Sequence, residues 1–302
     1  MLSWKKKTPP QPTLTRMATI KATAYAKINL TLHVTGQRPD GYHLLDSLVV
    51  FASLGDRVIA TTDPKLQLTV RGPFAQGVPT DGSNLVLKAA EVLRQARGVT
   101  IGARITVEKN LPHGAGIGGG SADAAATLNL LAELWGVEPL AADDPRVLAL
   151  GADVPVCLKA PAPMRMEGIG EVLTPLKRLP NAGLILVNPG IHVPTPQIFQ
   201  GLENKANDAM TGGLHAESFE GFTEWLGRQR NDLTAPAAAI APEINEALTL
   251  LRHQTSVKWA GMSGSGSTCV GLVKDMGAAR QVARTLQIRK QGWWVVPTPL
   301  LS

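Results

Sequence analysis

Between residues 28 and 34 apolar and polar positions alternate: Ile28, Leu30, Leu32 and Val34 on one side, Lys27, Asn29, Thr31 and His33 on the other. A period of two predicts a strand with one wet face. Arg38-Pro39-Asp40-Gly41 is strong turn chemistry, and the apolar run over residues 44–52 predicts a second strand after it. Further strands are predicted at 56–61, 66–71 and 103–108. Between the last two, Leu85, Ala89, Val92 and Ala96 recur at helical spacing, with Ser83 and Asn84 as cap candidates and Gly98 to close the helix.

Residues 121–135 predict a second helix, alanine-rich at its start and ended by Gly136. The Pro/Ala/Met-rich stretch around residues 160–166 reads as a change of domain or a crossing segment. Beyond it the pattern gives a strand at 183–187 and a short helix from Pro196, with Thr195 as its cap. Helices are predicted near 217–227, 242–253 and 278–286, and strands at 257–260, 269–273 and 293–296. Strands and helices come in runs without strict alternation and without an internal repeat, which predicts an α+β architecture of two domains.

Composition narrows the class of protein. The 302 residues are 44% hydrophobic and 18% charged, a globular balance. No apolar stretch reaches the roughly 18 residues that span a bilayer, so no membrane partner is expected. Cys157 and Cys269 are the only cysteines and lack paired metal-ligand spacing, which argues for a reducing compartment, the cytoplasm. The formal charge of +6 would raise nucleic-acid binding, but Lys5, Lys6, Lys7 and Arg16 lie in the first 16 residues without an acid, and removing them leaves +2. That segment also holds Pro9, Pro10 and Pro12, and Met17 is an alternative start. Residues 1–17 therefore read as a disordered basic extension, a targeting peptide being the other reading, without its apolar core or Ser/Arg richness.

The chemistry concentrates in Pro112-His113-Gly114-Ala115-Gly116-Ile117-Gly118-Gly119-Gly120-Ser121-Ala122, followed by Asp123 and three alanines. Five glycines leading straight into a helix make an anion site. Without β-carbons the backbone approaches an oxyanion closely, and the free amides of the first helical turn point at it. The segment is not a P-loop, because Gly120 stands where the lysine before the Ser would be. Gly114-x-Gly116-x-x-Gly119 matches the dinucleotide fingerprint literally, but no strand ending in an acid follows about 20 residues on; Glu133 lies inside the predicted helix. The His-Arg-Asp and Asp-Phe-Gly elements of protein kinases are absent from the sequence.

Residues 112–126 resemble the nucleotide loop of the galactokinase, homoserine kinase, mevalonate kinase and phosphomevalonate kinase superfamily. Ala26-Lys27-Ile28-Asn29-Leu30 with Arg38-Pro39-Asp40-Gly41-Tyr42-His43, then Gly151-Ala152-Asp153-Val154-Pro155, and Gly261 to Ser267 are similar to the pattern of the 4-diphosphocytidyl-2-C-methyl-D-erythritol kinase family. The match is collinear from about Ala24 to the last strand. It departs at His113 and Ala115, where the family often has Met and Gly, which leaves the backbone role of the loop intact.

The resemblance implies ATP as co-substrate, a cytidine-diphosphate-linked methylerythritol as small-molecule substrate, and Mg2+ to counter the triphosphate charge, with no protein ligand for it named by the sequence. Asp153 matches the family's catalytic base; a helix-capping Asp is the plain alternative. Lys27, on one strand face with Asn29, would hold the carboxylate and stabilise charge on the attacking oxygen. Tyr42 and His43 take base recognition from the resemblance, and Phe199 the stacking position on cytosine, with Thr195 beside it. Gly264, Ser265 and Gly266 form a second anion-friendly turn for the substrate diphosphate. Asn84 and Lys109 border the adenine by family position.

The expected fold is a ribosomal-protein-like β/α domain over residues 18–160, which binds ATP, and a ferredoxin-like domain over 161–302 that contributes to substrate binding. The cleft between them would be the active site of a cytoplasmic monomer or weak homodimer that binds neither nucleic acid nor membrane. Two other readings stay open: a kinase or decarboxylase of the same superfamily for mevalonate-type substrates, and an RNA-binding protein.

Overall fold

The structure, a computed structural model, describes residues 19–214 and 217–301; the basic extension predicted over residues 1–17 lies outside them. In chain order the first half runs β1 (Thr19–Asn29), β2 (His33–Gln37), β3 (His43–Asp63), β4 (Gln67–Arg71), α1 (Leu85–Arg97), β5 (Gly102–Glu108), α2 (Gly119–Trp135), α3 (Pro145–Leu150) and α4 (Val154–Cys157). The second half runs β6 (Met164–Gly168), β7 (Val172–Pro175), β8 (Gly183–Asn188), α5 (Thr195–Gln200), α6 (Phe219–Gly227), α7 (Thr234–Ile240), α8 (Glu243–Arg252), β9 (Trp259–Met262), β10 (Cys269–Val273), α9 (Met276–Arg289) and β11 (Trp294–Leu301).

The spine is β3. It pairs antiparallel with β1, β2, β5 and β6, and with the end of β11 at Leu300 and Leu301. β11 then pairs with β8 from Trp294 to Pro299, so the last strand joins both halves of the strand order β4-β5-β3-β11-β8-β10-β9. Two separately predicted strands, 44–52 and 56–61, are one 21-residue strand. The predicted crossing segment supplies Met164–Gly168 as a strand on β3.

Local chemistry accounts for the helices that set the site. The Asn84 side chain accepts from the Val86 amide to start α1, and Gly98, left-handed at φ 62°, ends it. Helix α2 begins after Gly118, at φ 65°, and has no side-chain cap, which leaves its first amides free. It is buried nearly all round, with Ala124, Ala125, Leu128, Leu131 and Trp135 in one core with β3, β5 and α1. Small residues in its first turns let it approach the sheet.

Two expectations change. The alternating stretch from Ile28 is not one strand: β1 stops at Asn29 and β2 starts at His33. Its polar side is not wet either, since Lys27, Asn29, Thr31 and His33 are all buried. Groups from distant segments cover that face: the Lys27 ammonium meets Asp153, the Thr31 hydroxyl meets Met210 Sδ, and His33 Nδ1 meets the Asp208 carbonyl, which alternation cannot distinguish from contact with water. Thr195 is the first residue of α5 rather than its cap; Pro194 holds the cap position with no side-chain bond. The Thr195 hydroxyl instead meets Ser265 Oγ at 2.9 Å.

Candidate active site

The end of β1 delivers Lys27 and Asn29 to the floor of a cavity of about 690 Å3. The Lys27 ammonium is almost wholly buried and donates to Asn29 Oδ1 at 2.8 Å and to Asp153 Oδ2 at 2.9 Å. Asp153 sits immediately before α4, and its carboxylate is 35% exposed, open to the cavity. It makes no cap bond to that helix, so the capping alternative does not apply. Asn29 is fixed in turn: its Nδ2 donates to Ser47 Oγ at 2.7 Å, and Ser47 donates to the Thr31 carbonyl. The pair Lys27–Asp153 is thus held from β1, β3 and α4 at once.

The glycine loop closes over the same place. The Lys27 amide donates to the Ile117 carbonyl at 3.0 Å, and a Cβ added to Gly118 would lie 3.0 Å from Lys27 Cβ. Gly114, Gly116 and Gly118 have φ of 56°, 72° and 65°, the left-handed region that suits glycine. Ala122 is the first amide of α2 with an acceptor, the Gly118 carbonyl, so those of Gly119, Gly120 and Ser121 have no intrahelical partner. Ser121 lines the cavity together with Lys27 and Asp153. Of the three residues with free amides, Ser121 borders the cavity that holds the Lys27–Asp153 pair, which brings the positive end of the helix dipole to its edge, while Gly119 and Gly120 lie outside the lining.

The turn at Gly264-Ser265-Gly266 packs on that loop. Ser263 Oγ donates to the Gly116 carbonyl at 3.0 Å and accepts from the Asn29 amide at 3.1 Å. A Cβ at Gly116 would meet Ser263 O at 2.4 Å, so the two turns touch backbone to backbone. Gly264 and Ser265 line the cavity; Gly266 supports the turn from behind, its amide donating to Ser263 O.

Across the cavity His43 and Phe199 stack, with ring centroids 4.6 Å apart. His43 Nε2 is buried and has no hydrogen-bond partner among the described residues. Burial, with Lys205 adding to it, pushes the His43 imidazole below its ordinary range. Tyr42 lines the same wall and is 57% exposed. Thr195 completes this side.

Other predicted residues fall outside the cavity lining. Asn84 is engaged in the α1 cap and donates to the Pro79 carbonyl. The Lys109 ammonium is buried behind the loop between Asp56 and Asp123. His113 lies on the loop, its imidazole lowered by burial and by Lys109. Sequence reasoning missed Ser47, Ser263 and Lys205. Ser263 lies in the Gly261 to Ser267 motif but was given no role of its own, Ser47 carries no motif signal, and Lys205 sits in an unpatterned stretch after α5; only the fold brings them to the site.

The GHMP kinases N terminal domain matches residues 84–160, and the GHMP kinases C terminal domain matches residues 210–290. The chain is 52% identical over 284 residues to the 4-diphosphocytidyl-2-C-methyl-D-erythritol kinase of Cereibacter sphaeroides strain ATCC 17029, covering 93% of this chain and 99% of that one. It is 49% identical to the enzyme of the same name from Paramagnetospirillum magneticum, over 95% of this chain and 100% of the relative. A crystal structure of 4-(cytidine 5'-diphospho)-2C-methyl-D-erythritol kinase superposes with a TM-score of 0.76 at 32% identity, covering 94% of this chain and all of that one. Homoserine kinase from Cytophaga hutchinsonii shares the fold, with a TM-score of 0.67 at 18% identity over 99% of this chain and 97% of that one. The chain is a small-molecule kinase with the two-domain α+β fold of the GHMP kinases, and it belongs to the 4-diphosphocytidyl-2-C-methyl-D-erythritol kinase family.

Proposed function

We propose that the protein transfers the γ-phosphoryl group of ATP to the 2-hydroxyl of 4-diphosphocytidyl-2-C-methyl-D-erythritol, giving the 2-phosphate and ADP, in the non-mevalonate route to isoprenoid precursors. The observation that carries the reading is the Lys27–Asp153 pair at 2.9 Å in the same cavity as the free start of α2. Phosphoryl transfer needs positioning and charge neutralisation above all. The amides of Gly119, Gly120 and Ser121 supply donors for phosphate oxygens. Asp153 takes the proton of the substrate hydroxyl as its oxygen bonds to the γ-phosphorus and the bond to the β,γ-bridging oxygen breaks. Lys27 stabilises the negative charge on the attacking oxygen.

The His43–Phe199 wall suits a flat base. Lys205 lines the cavity without an ion-pair partner among the described residues and offers its charge to the substrate diphosphate. Among the described residues no three His, Cys, Asp or Glu cluster. The donor set suits Mg2+ carried largely by phosphate oxygens and water, a common mode for this ion; once bound it neutralises phosphate charge. The division into an ATP-binding part over 18–160 and a substrate part over 161–302 belongs to the same reading, as does a cytoplasmic location, which the buried free thiols of Cys157 and Cys269 support.

Identity decides against the mevalonate-type alternative: the mevalonate kinase of L. major is 14% identical, a likeness of fold alone. The test is incubation of the purified chain with ATP, Mg2+ and the cytidylyl substrate, read by mass spectrometry. A product one phosphoryl group heavier is expected, and turnover on phosphomevalonate with none on the cytidylyl compound would overturn the assignment.

A further inference from the structure

Behind the glycine loop lies a charged cluster that the phosphoryl-transfer chemistry does not use. Lys109 follows β5 and is buried, as are Asp56 on β3 and Asp123 in the second turn of α2. The Lys109 ammonium donates to Asp56 and, at 2.6 Å, to Asp123 Oδ2. Asp56 also accepts from the amides of Asn110, at 2.5 Å, and Leu111, at 2.9 Å. Those two residues run directly into the loop, and Asp123 lies just beyond it. One ammonium therefore ties the chain before the loop to the chain after it. The ties pass close beneath the phosphate-facing turn: a Cβ at Gly119 would lie 3.6 Å from Lys109 Nζ and 3.8 Å from Asp56 Oδ2.

Two carboxylates share one ammonium here, so the fully ionised cluster carries an excess negative charge beneath a site built for anions. The second oxygen of Asp123, Oδ1, is buried with no hydrogen-bond partner among the described residues. Such an arrangement favours a proton on the cluster when negative charge arrives above it.

Building on the reading that the loop binds ATP, we infer that Lys109, clamped between Asp56 and Asp123, is the positioning residue of the nucleotide loop, and that Asp123 is the group through which pH acts on nucleotide affinity. Several titratable groups face the cluster. Besides Asp56 and Lys109 these are His113 on the loop, lowered by burial, and Cys157 on α4, whose thiol burial raises well above its ordinary range. Burial pushes the Asp123 carboxyl up to about 7, with Lys109 opposing. Burial works against the Lys109 charge, but its two carboxylates prevail and raise it, so it stays protonated throughout the neutral range. Asp123 is thus neutral below about pH 7 and adds a negative charge near the phosphates above it, weakening nucleotide binding as pH rises.

The experiment is calorimetric titration of the full chain with a non-hydrolysable ATP analogue and Mg2+ from pH 6.0 to 8.5, for wild type, Asp123→Asn and Lys109→Met. The ratio of wild-type to variant affinity cancels titration of the nucleotide itself. Relative to Asp123→Asn, wild-type affinity should fall by up to about tenfold across that range, which corresponds to a one-unit change in the carboxyl pKa on binding. Lys109→Met should weaken the analogue by about tenfold or more at every pH, while the Michaelis constant for the cytidylyl substrate stays within about twofold, a split that general loss of structure would not produce. Wild type that fails to bind the analogue would refute the ATP site itself. Wild type that binds, with Asp123→Asn keeping the same pH dependence, would overturn this inference and point to His113. A folded Lys109→Met chain with unchanged affinity would overturn it equally, and if that chain does not fold, Asp123→Asn decides.

Discussion

Lys27 Nζ and Asp153 Oδ2 stand 2.9 Å apart, although 126 residues separate them in the chain. Lys27 comes from the end of β1 and Asp153 from the residue before α4. Asn29 and Ser47 hold the lysine from the other side. An ammonium that contacts both the carboxylate and a rigid amide keeps that carboxylate in one orientation without occupying its exposed face.

Replacing that base tests the chemistry directly. Asp153→Asn keeps the shape and removes the proton acceptor, so kcat should fall by about 10²- to 10⁴-fold, the range for a positioned general base. The Michaelis constant for ATP should stay near wild type. Steady-state kinetics with both substrates varied checks this, and a near-normal kcat would exclude Asp153 as the base.

Phe199 is predicted to serve the base of the substrate and not the nucleotide donor. Phe199→Ala removes half of the stacked pair with His43. At about 1–3 kcal/mol per stacked base, the Michaelis constant for the cytidylyl substrate should rise by roughly five- to over a hundredfold. Equal increases for both substrates would show that the ring only supports the fold.

Lys205 should act through charge. Lys205→Ala should raise the Michaelis constant of the cytidylyl substrate, and added salt should then weaken binding less than in wild type, while Lys205→Arg restores much of the loss. The same change has a second readout. Because Lys205 adds to burial in lowering the His43 imidazole, its removal should let the His43 NMR titration midpoint rise. A midpoint that does not move would remove Lys205 from the neighbourhood of His43.

Two glycines of the loop should behave differently. At Gly116, with φ of 72° and backbone atoms of Ser263 and Gly266 within 2.7 Å of an added Cβ, alanine should lower the melting temperature and ATP affinity together. At Gly120 an added Cβ meets no protein atom within 4 Å, and the residue lies in α2. Gly120→Ala should leave the fold as stable or more stable, by about 0.5–1 kcal/mol from helix propensity. The methyl group nevertheless enters the space above the free amides, so the Michaelis constant for ATP should increase. Thermal melting and kinetics on the two variants separate these effects, and a Gly120→Ala enzyme with normal ATP kinetics would remove the phosphates from that turn.

Much of this was legible along the chain. The caps and glycine stops of α1 and the end of α2 fall where Asn84, Gly98 and Gly136 put them. The dense glycines at 114–120 signalled a left-handed loop that runs into an uncapped helix start, because absent side chains and a helix start act locally. α3, α4 and α7 did not show, being four to seven residues long, too short for a period to repeat. Thr195 looked like a cap, yet its hydroxyl found Ser265 at a distance of 70 residues.

What the sequence determined by itself is therefore what depends on near neighbours: helix ends, turns, the free amides that follow the glycine loop, and a family pattern that Lys27, Asp153 and the loop match together. Only the tertiary structure decided which polar residues are covered and by what. The alternating polar side over residues 27–33 read as wet and is dry, and Lys109, which the family resemblance put beside the adenine, is locked between two acids. Both outcomes depend on groups brought from distant segments, and a buried charge or amide is tolerable only when such partners are present.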